Sequence, residues 1–116
     1  MSDLTAVREE DRFDVERMHD WLSNFIDQKT PPEVLQFRSG ASNLTYLLKY
    51  PDRELVLRRP PVGTKATSAH DMKREYLIQS RVKTAFPLVP TMIALCEDHS
   101  IMGSDFYVME LSLIHI

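Results

Sequence analysis

Glu54-Leu55-Val56-Leu57-Arg58-Arg59-Pro60-Pro61 and Ala69-His70-Asp71-Met72-Lys73-Arg74-Glu75-Tyr76 are the two stretches whose reading decides the fold. The first is an apolar extended run that ends in two arginines and is stopped by a proline pair, which cannot continue a hydrogen-bonded ladder. Period-two alternation puts Val56 and Arg58 on one face and Leu55, Leu57 and Arg59 on the other, so only one of the two arginines faces inward with Val56. The second stretch opens a helix predicted from about Ser68 or His70 to Thr84. Asp71 and Glu75 stand in its early turns and Arg81 and Lys83 in its last, as the helix dipole favours, and Pro87 and Pro90 end it. On a helical wheel Glu75 falls inside the apolar stripe of Met72, Ile78, Val82 and Phe86, opposite Lys73, Arg74 and Arg81. A carboxylate turned toward the core needs a partner, because burying it alone costs several kcal/mol, and Arg58 is the expected one.

Working outward, the segments Val34–Arg38 and Leu44–Tyr50 are short, rich in Val, Leu, Tyr and Thr, and bounded by turn residues, which predicts two strands ahead of Glu54–Arg59. Ser39–Asn43 and Pro51–Arg53 are short enough to join the three as antiparallel neighbours. Pro60–Lys65 is a loop by composition. Upstream, Val15, Met18, Leu22, Phe25 and Ile26 recur at helical spacing over Asp14–Asp27, with Asp14 as the cap and Pro31-Pro32 as the stop. Downstream, Thr91–Cys96 and Phe106–Glu110 read as two more strands around a turn at Glu97–Ser100, with Gly103 as a bulge or turn point. The predicted order is one helix, three antiparallel strands, a second helix and two more strands, an α+β class.

The 116 residues allow one domain, and 43% apolar with 27% charged residues is an ordinary globular balance. A net charge of -3 and a pI near 5.8 lack the basic excess that phosphate-backbone binding uses, so no nucleic-acid partner is expected. No apolar run approaches the roughly 18 residues of a membrane span, and the N-terminus lacks the pattern of a signal peptide, so the expectation is a cytoplasmic chain without a membrane partner. Cys96 is the only cysteine, which excludes an internal disulfide, and the four histidines show no metal spacing. Cys96 reads as a small buried hydrophobe. The hexapeptide Leu111–Ile116 is what the codons CTG TCT CTT ATA CAC ATC encode, a string resembling a sequencing-library adaptor. The expectation is therefore a domain over residues 1–110 that stops before a further half, with 111–116 outside the fold.

Three features carry chemistry. A strand cation held by a helix carboxylate is the arrangement that kinase-type folds use to aim positive charge at the α and β phosphates of ATP. The turn Ser39–Asn43, with Gly40, Ala41 and Ser42, lets backbone N–H groups approach a phosphate and adds a hydroxyl donor. Phe106–Glu110 is a buried strand ending in an acid, placed in chain order where the edge of such a nucleotide cleft would fall. The residues alone equally allow a structural ion pair and a plain hairpin turn.

The words Phe37-Arg-Ser-Gly-Ala-Ser-Asn-Leu-Thr-Tyr46, Leu55-Val-Leu-Arg-Arg-Pro-Pro61, Ala69-His-Asp-Met-Lys-Arg-Glu-Tyr76, Val89-Pro90, Leu95-Cys-Glu-Asp98 and Gly103-Ser-Asp-Phe-Tyr-Val-Met-Glu110 occur in this order over nearly all of residues 37–110. Together they resemble the phosphotransferase family of aminoglycoside and choline kinases, and within it the kinase-like domains joined to acyl-CoA dehydrogenases. The resemblance implies the N-terminal lobe of a protein-kinase-like fold, a five-stranded antiparallel sheet with one principal packed helix and here an extra N-terminal helix, with ATP or GTP and Mg²⁺ as phosphoryl donor and a small-molecule hydroxyl as acceptor. It implies nucleotide-binding roles for Gly40, Ser42, Asn43, Val56, Arg58, Glu75 and Glu110. Arg58 stands where many kinases carry lysine, a wide fork in place of a compact point charge. No match occurs for the family's His-Gly-Asp catalytic loop or its metal-binding Asp, so no catalytic or metal-ligating residue is assigned and these residues alone are expected to be inactive. The competing readings are a non-catalytic nucleotide-binding or pseudokinase module and a purely structural αβ unit.

Overall fold

A computed structural model describes residues 4–38, 43–61, 67–85 and 90–111, with the side chains of 67–71 and 84 left aside. Three strands form the predicted antiparallel meander: β2 (Glu33–Phe37), β3 (Leu44–Lys49) and β4 (Glu54–Arg59), counted after an N-terminal strand β1 (Leu4–Ala6). The chain then crosses through α2 (Thr67–Ala85), the helix that follows α1 (Val15–Leu22), and returns as β5 (Met92–Cys96) and β6 (Phe106–Glu110). β6 inserts between β4 and β5, giving the order β1-β2-β3-β4-β6-β5 with every neighbour antiparallel. This order sets Arg58 opposite Tyr107 and Val56 opposite Met109, although nearly fifty residues separate the strands.

The sheet thus has six strands, one more than the sequence pattern predicts. β1 is three residues long and of mixed polarity, too short to announce itself by alternation. Side chains fix it in place. Gln36 of β2 accepts from the Arg8 backbone N–H at 2.9 Å and donates to Asp11 at 2.9 Å, tying the segment after β1 to the sheet.

Both faces of the sheet are covered, which is why Leu55, Val56 and Leu57 are all buried in β4. The larger core lies on the α1 face, where Met18 and Leu22 pack with Tyr46, Leu48, Leu55, Leu57, Phe106 and Val108. A smaller core on the α2 face joins Met72 to Val56, Tyr107 and Met109, flanked by Tyr76, Met92, Leu95 and Leu111. Each fully buried Leu, Phe or Met here contributes about 1.5–3 kcal/mol relative to exposure. Cys96 is buried at the end of β5, and burial pushes its thiol pKa up, away from reactive thiolate character.

Several local expectations are corrected. α1 ends at Leu22, where the Ser23 hydroxyl bonds the Asp20 carbonyl, so Phe25 is exposed while Ile26 still reaches the core. Ile78 is 51% exposed and outside the packed stripe of α2. The sheet-facing line runs through Met72 and Tyr76, about one helical turn apart, and Glu75 sits about 80° to its side rather than at its centre. The expected turn at Glu97–Ser100 runs into a one-turn helix, α3 (His99–Met102), capped by Asp98, which accepts from the Ser100 hydroxyl at 2.7 Å and backbone N–H at 3.0 Å. These bonds hold the Asp98 carboxyl below the usual range. Gly103 ends α3 with φ of 86°, a left-handed conformation that glycine adopts without strain. Phe86 and residues 112–116 lie outside the described residues.

Candidate functional site

β4 presents its two arginines to opposite faces. Arg58 points to the α2 side, where its Nη1 lies 2.6 Å from Glu75 Oε1. Their side chains are 17% and 27% exposed, so the pair is largely withdrawn from water and less screened than a surface ion pair. The pairing follows from two periodicities, alternation along β4 and the helical spacing that brings Glu75 beside Met72 over the sheet.

The carboxylate has further partners. Asn43, just ahead of β3, donates from Nδ2 to Glu75 Oε2 at 3.1 Å. Tyr107 of β6 donates its hydroxyl to Glu75 Oε1, and its oxygen accepts from Arg58 Nη1 at 3.2 Å. Side chains from β4, from β6 and from the residue ahead of β3 therefore converge on one carboxylate of α2. Burial raises the Tyr107 phenol well above its ordinary value of 10, and the bond to Glu75 raises it further, which keeps the hydroxyl a donor. Arg58 Nε is buried without a hydrogen-bond partner among the described residues.

Of the residues assigned from sequence, the structure brings together Asn43, Arg58 and Glu75, with Val56 two positions along β4 on the same face and fully buried. Glu110 stands apart, opposite Leu55 in register, its side chain exposed and 3.7 Å from Arg53. Gly40 and Ser42 lie outside the described residues. Tyr107 is the member that sequence reading missed. Alternation within Phe106–Glu110 would have put it on one face with Met109, but only the β4–β6 pairing shows that this face is Arg58's.

Arg59 belongs to a different network on the α1 face and is 4% exposed. Its Nε donates to the Tyr46 hydroxyl at 3.1 Å and its Nη2 to the Asp11 carbonyl at 2.8 Å, with the guanidinium 5.5 Å from the Phe13 and Tyr46 ring centroids. A cavity of about 240 Å³ lined by Val7, Arg12, Phe13, Val15, Pro32 and Val34 shares no residue with the Glu75 cluster. Among the described residues no group of His, Cys, Asp or Glu could hold a metal ion, and no helix is long and apolar enough to cross a membrane.

An antiparallel sheet whose central strand offers a cation to a carboxylate on the crossover helix is the N-terminal lobe of a kinase-like phosphotransferase. The chain belongs to the phosphotransferase enzyme family, whose model matches residues 33–112. It is similar to acyl-CoA dehydrogenase family member 10 of Mus musculus, 50% identical over 80 residues, covering 69% of this chain and 8% of that protein. With acyl-CoA dehydrogenase family member 11 of Homo sapiens it shares 33% identity over 115 residues, 94% of this chain and 15% of that one. The crystal structure of a proposed aminoglycoside phosphotransferase from Ralstonia eutropha matches with a TM-score of 0.70 and 34% identity, over 86% of this chain and 28% of the other. The chain thus spans a small fraction of each of these relatives.

Proposed function

We propose that residues 1–110 form the nucleotide-binding lobe of a small-molecule kinase that transfers the γ-phosphoryl group of ATP, or GTP, to a hydroxyl. The observation that carries the reading is the Arg58–Glu75 pair with its orphaned donor: Glu75 holds Nη1 at 2.6 Å while Nε stays buried without a partner among the described residues. A phosphate oxygen satisfies such a donor, and the residues fit the group. Arg58 would hold the phosphates, Glu75, itself held by Asn43, would hold Arg58 in place, and Val56, buried on the same face, would back the nucleotide site from the core. Gly40 and Ser42 would contribute from the loop ahead of Asn43, and Glu110 would mark the edge where the base meets backbone.

The bound nucleotide, with Mg²⁺, supplies an activated phosphoryl group, and this lobe's part is to bind and orient it. The groups that orient the acceptor hydroxyl and ligate Mg²⁺ belong, on this reading, to a second lobe, in keeping with the 28% share of the Ralstonia structure that the chain matches. These residues alone are then expected to bind nucleotide without turnover. The test is calorimetric titration with ATP. Binding that Arg58→Ala and Glu75→Ala each weaken by about tenfold supports the reading. No binding by the chain, or by a longer two-lobed chain that contains it, would leave the pair a structural device.

A further inference from the structure

We propose that Tyr107 is a positioning residue that sets the plane of the Arg58 guanidinium for the nucleotide's phosphates; this rests on the nucleotide reading above. A lysine ammonium in the strand position needs one counter-charge, since a point charge has no plane to fix. A guanidinium held only at Nη1 by one carboxylate oxygen can still swing about that contact. A second acceptor beside the first narrows this swing: Nη1 lies 2.6 Å from Glu75 Oε1 and 3.2 Å from the Tyr107 oxygen, which are themselves bonded to each other.

The two partners differ in origin. Glu75 arrives on the crossover helix, whereas Tyr107 lies directly opposite Arg58 in the β4–β6 register. Tyr107 is fully buried, and its ring is met edge-on by Tyr76 at 6.0 Å between centroids, so its hydroxyl has little room to move. The sheet therefore supplies Arg58 with a fixed partner, and the helix supplies a charged one. By donating to Glu75 in turn, the hydroxyl closes a triangle of Tyr107, Glu75 and Arg58 Nη1.

The experiment compares the 116-residue chain with Tyr107→Phe, Arg58→Lys and the double variant, reading thermal melting and the affinities for ATP and for adenosine. Tyr107→Phe is expected to melt as one cooperative unit and to bind ATP about tenfold more weakly while adenosine affinity changes less than about twofold. In the Arg58→Lys background the Phe substitution is expected to add nothing, because an ammonium has no plane to lose. Unchanged ATP affinity in folded Tyr107→Phe, or equal loss for ATP and adenosine, overturns the proposal alone. Absence of ATP binding by the unsubstituted chain overturns the nucleotide reading and the proposal with it.

Discussion

Arg58 and Arg59 are neighbours in sequence with different surroundings, and their contrast yields the sharpest test at the residue scale. Arg59 is buried among Tyr46, Phe13 and the Asp11 carbonyl, where it serves as a rivet between the N-terminal segment and the sheet. Arg59→Ala is expected to lower stability by about 3 kcal/mol, since it strips the Asp11 carbonyl and the Tyr46 hydroxyl of a buried donor. Arg58→Ala removes one member of a pair largely withdrawn from water, but the carboxylate left behind keeps Asn43 and Tyr107 as donors. Its expected cost is about 1 kcal/mol, with the effect appearing in nucleotide affinity instead. Urea unfolding beside ATP titration separates the two, and equal stability losses would contradict the assignment. The Arg58–Glu75 pair was legible because each residue breaks the apolar pattern of its own element. Arg59 was not, because alternation only sends it to the other face and does not show that the face is covered.

At the scale of elements, β2 to β6 and both long helices were legible from periodicity and their stop signals. What escaped was what depends on neighbours distant in sequence. β1 exists through backbone pairing with β2, with the Gln36–Asp11 bond tying down the segment after it, and Tyr107 meets Arg58 only because β6 inserts beside β4. The exposed Ile78 shows that an apolar wheel position is not a contact until the helix is laid on its sheet. α1 offers a test of local stability. Asp14 accepts from the Arg17 backbone N–H at 3.1 Å, so Asp14→Ala is expected to cost about 1 kcal/mol and Asp14→Asn almost nothing. A second test is Gly103→Ala, whose side chain meets nothing within 4 Å and so pays only for the left-handed backbone, about 1 kcal/mol. Thermal melts check both; a Gly103→Ala variant as stable as the original would contradict the backbone geometry.

For the whole molecule, a sheet covered on two sides buries tyrosines on both, Tyr46 and Tyr50 against α1 and Tyr107 against α2. Burial pushes Tyr50 up to about 12 from the usual 10, raises Tyr46, and raises Tyr107 as well. Their protons are retained in the folded state and released in the unfolded one once pH exceeds about 10. Stability is therefore full below that pH and falls as pH rises through the raised values. Circular dichroism and tyrosinate absorbance are expected to change together above pH 10, whereas tyrosinate forming at those sites in a still-folded chain would contradict the burial. The central claim, that the Arg58–Glu75 cluster faces a nucleotide's phosphates, is tested most directly by an amide NMR titration of the chain with Mg²⁺-ATP. The expected result is saturable shifts gathered at Asn43, Arg58, Glu75 and Tyr107 to Glu110. Spectra unchanged at millimolar ATP, or shifts gathered around the cavity between Val7 and Val34, would contradict it.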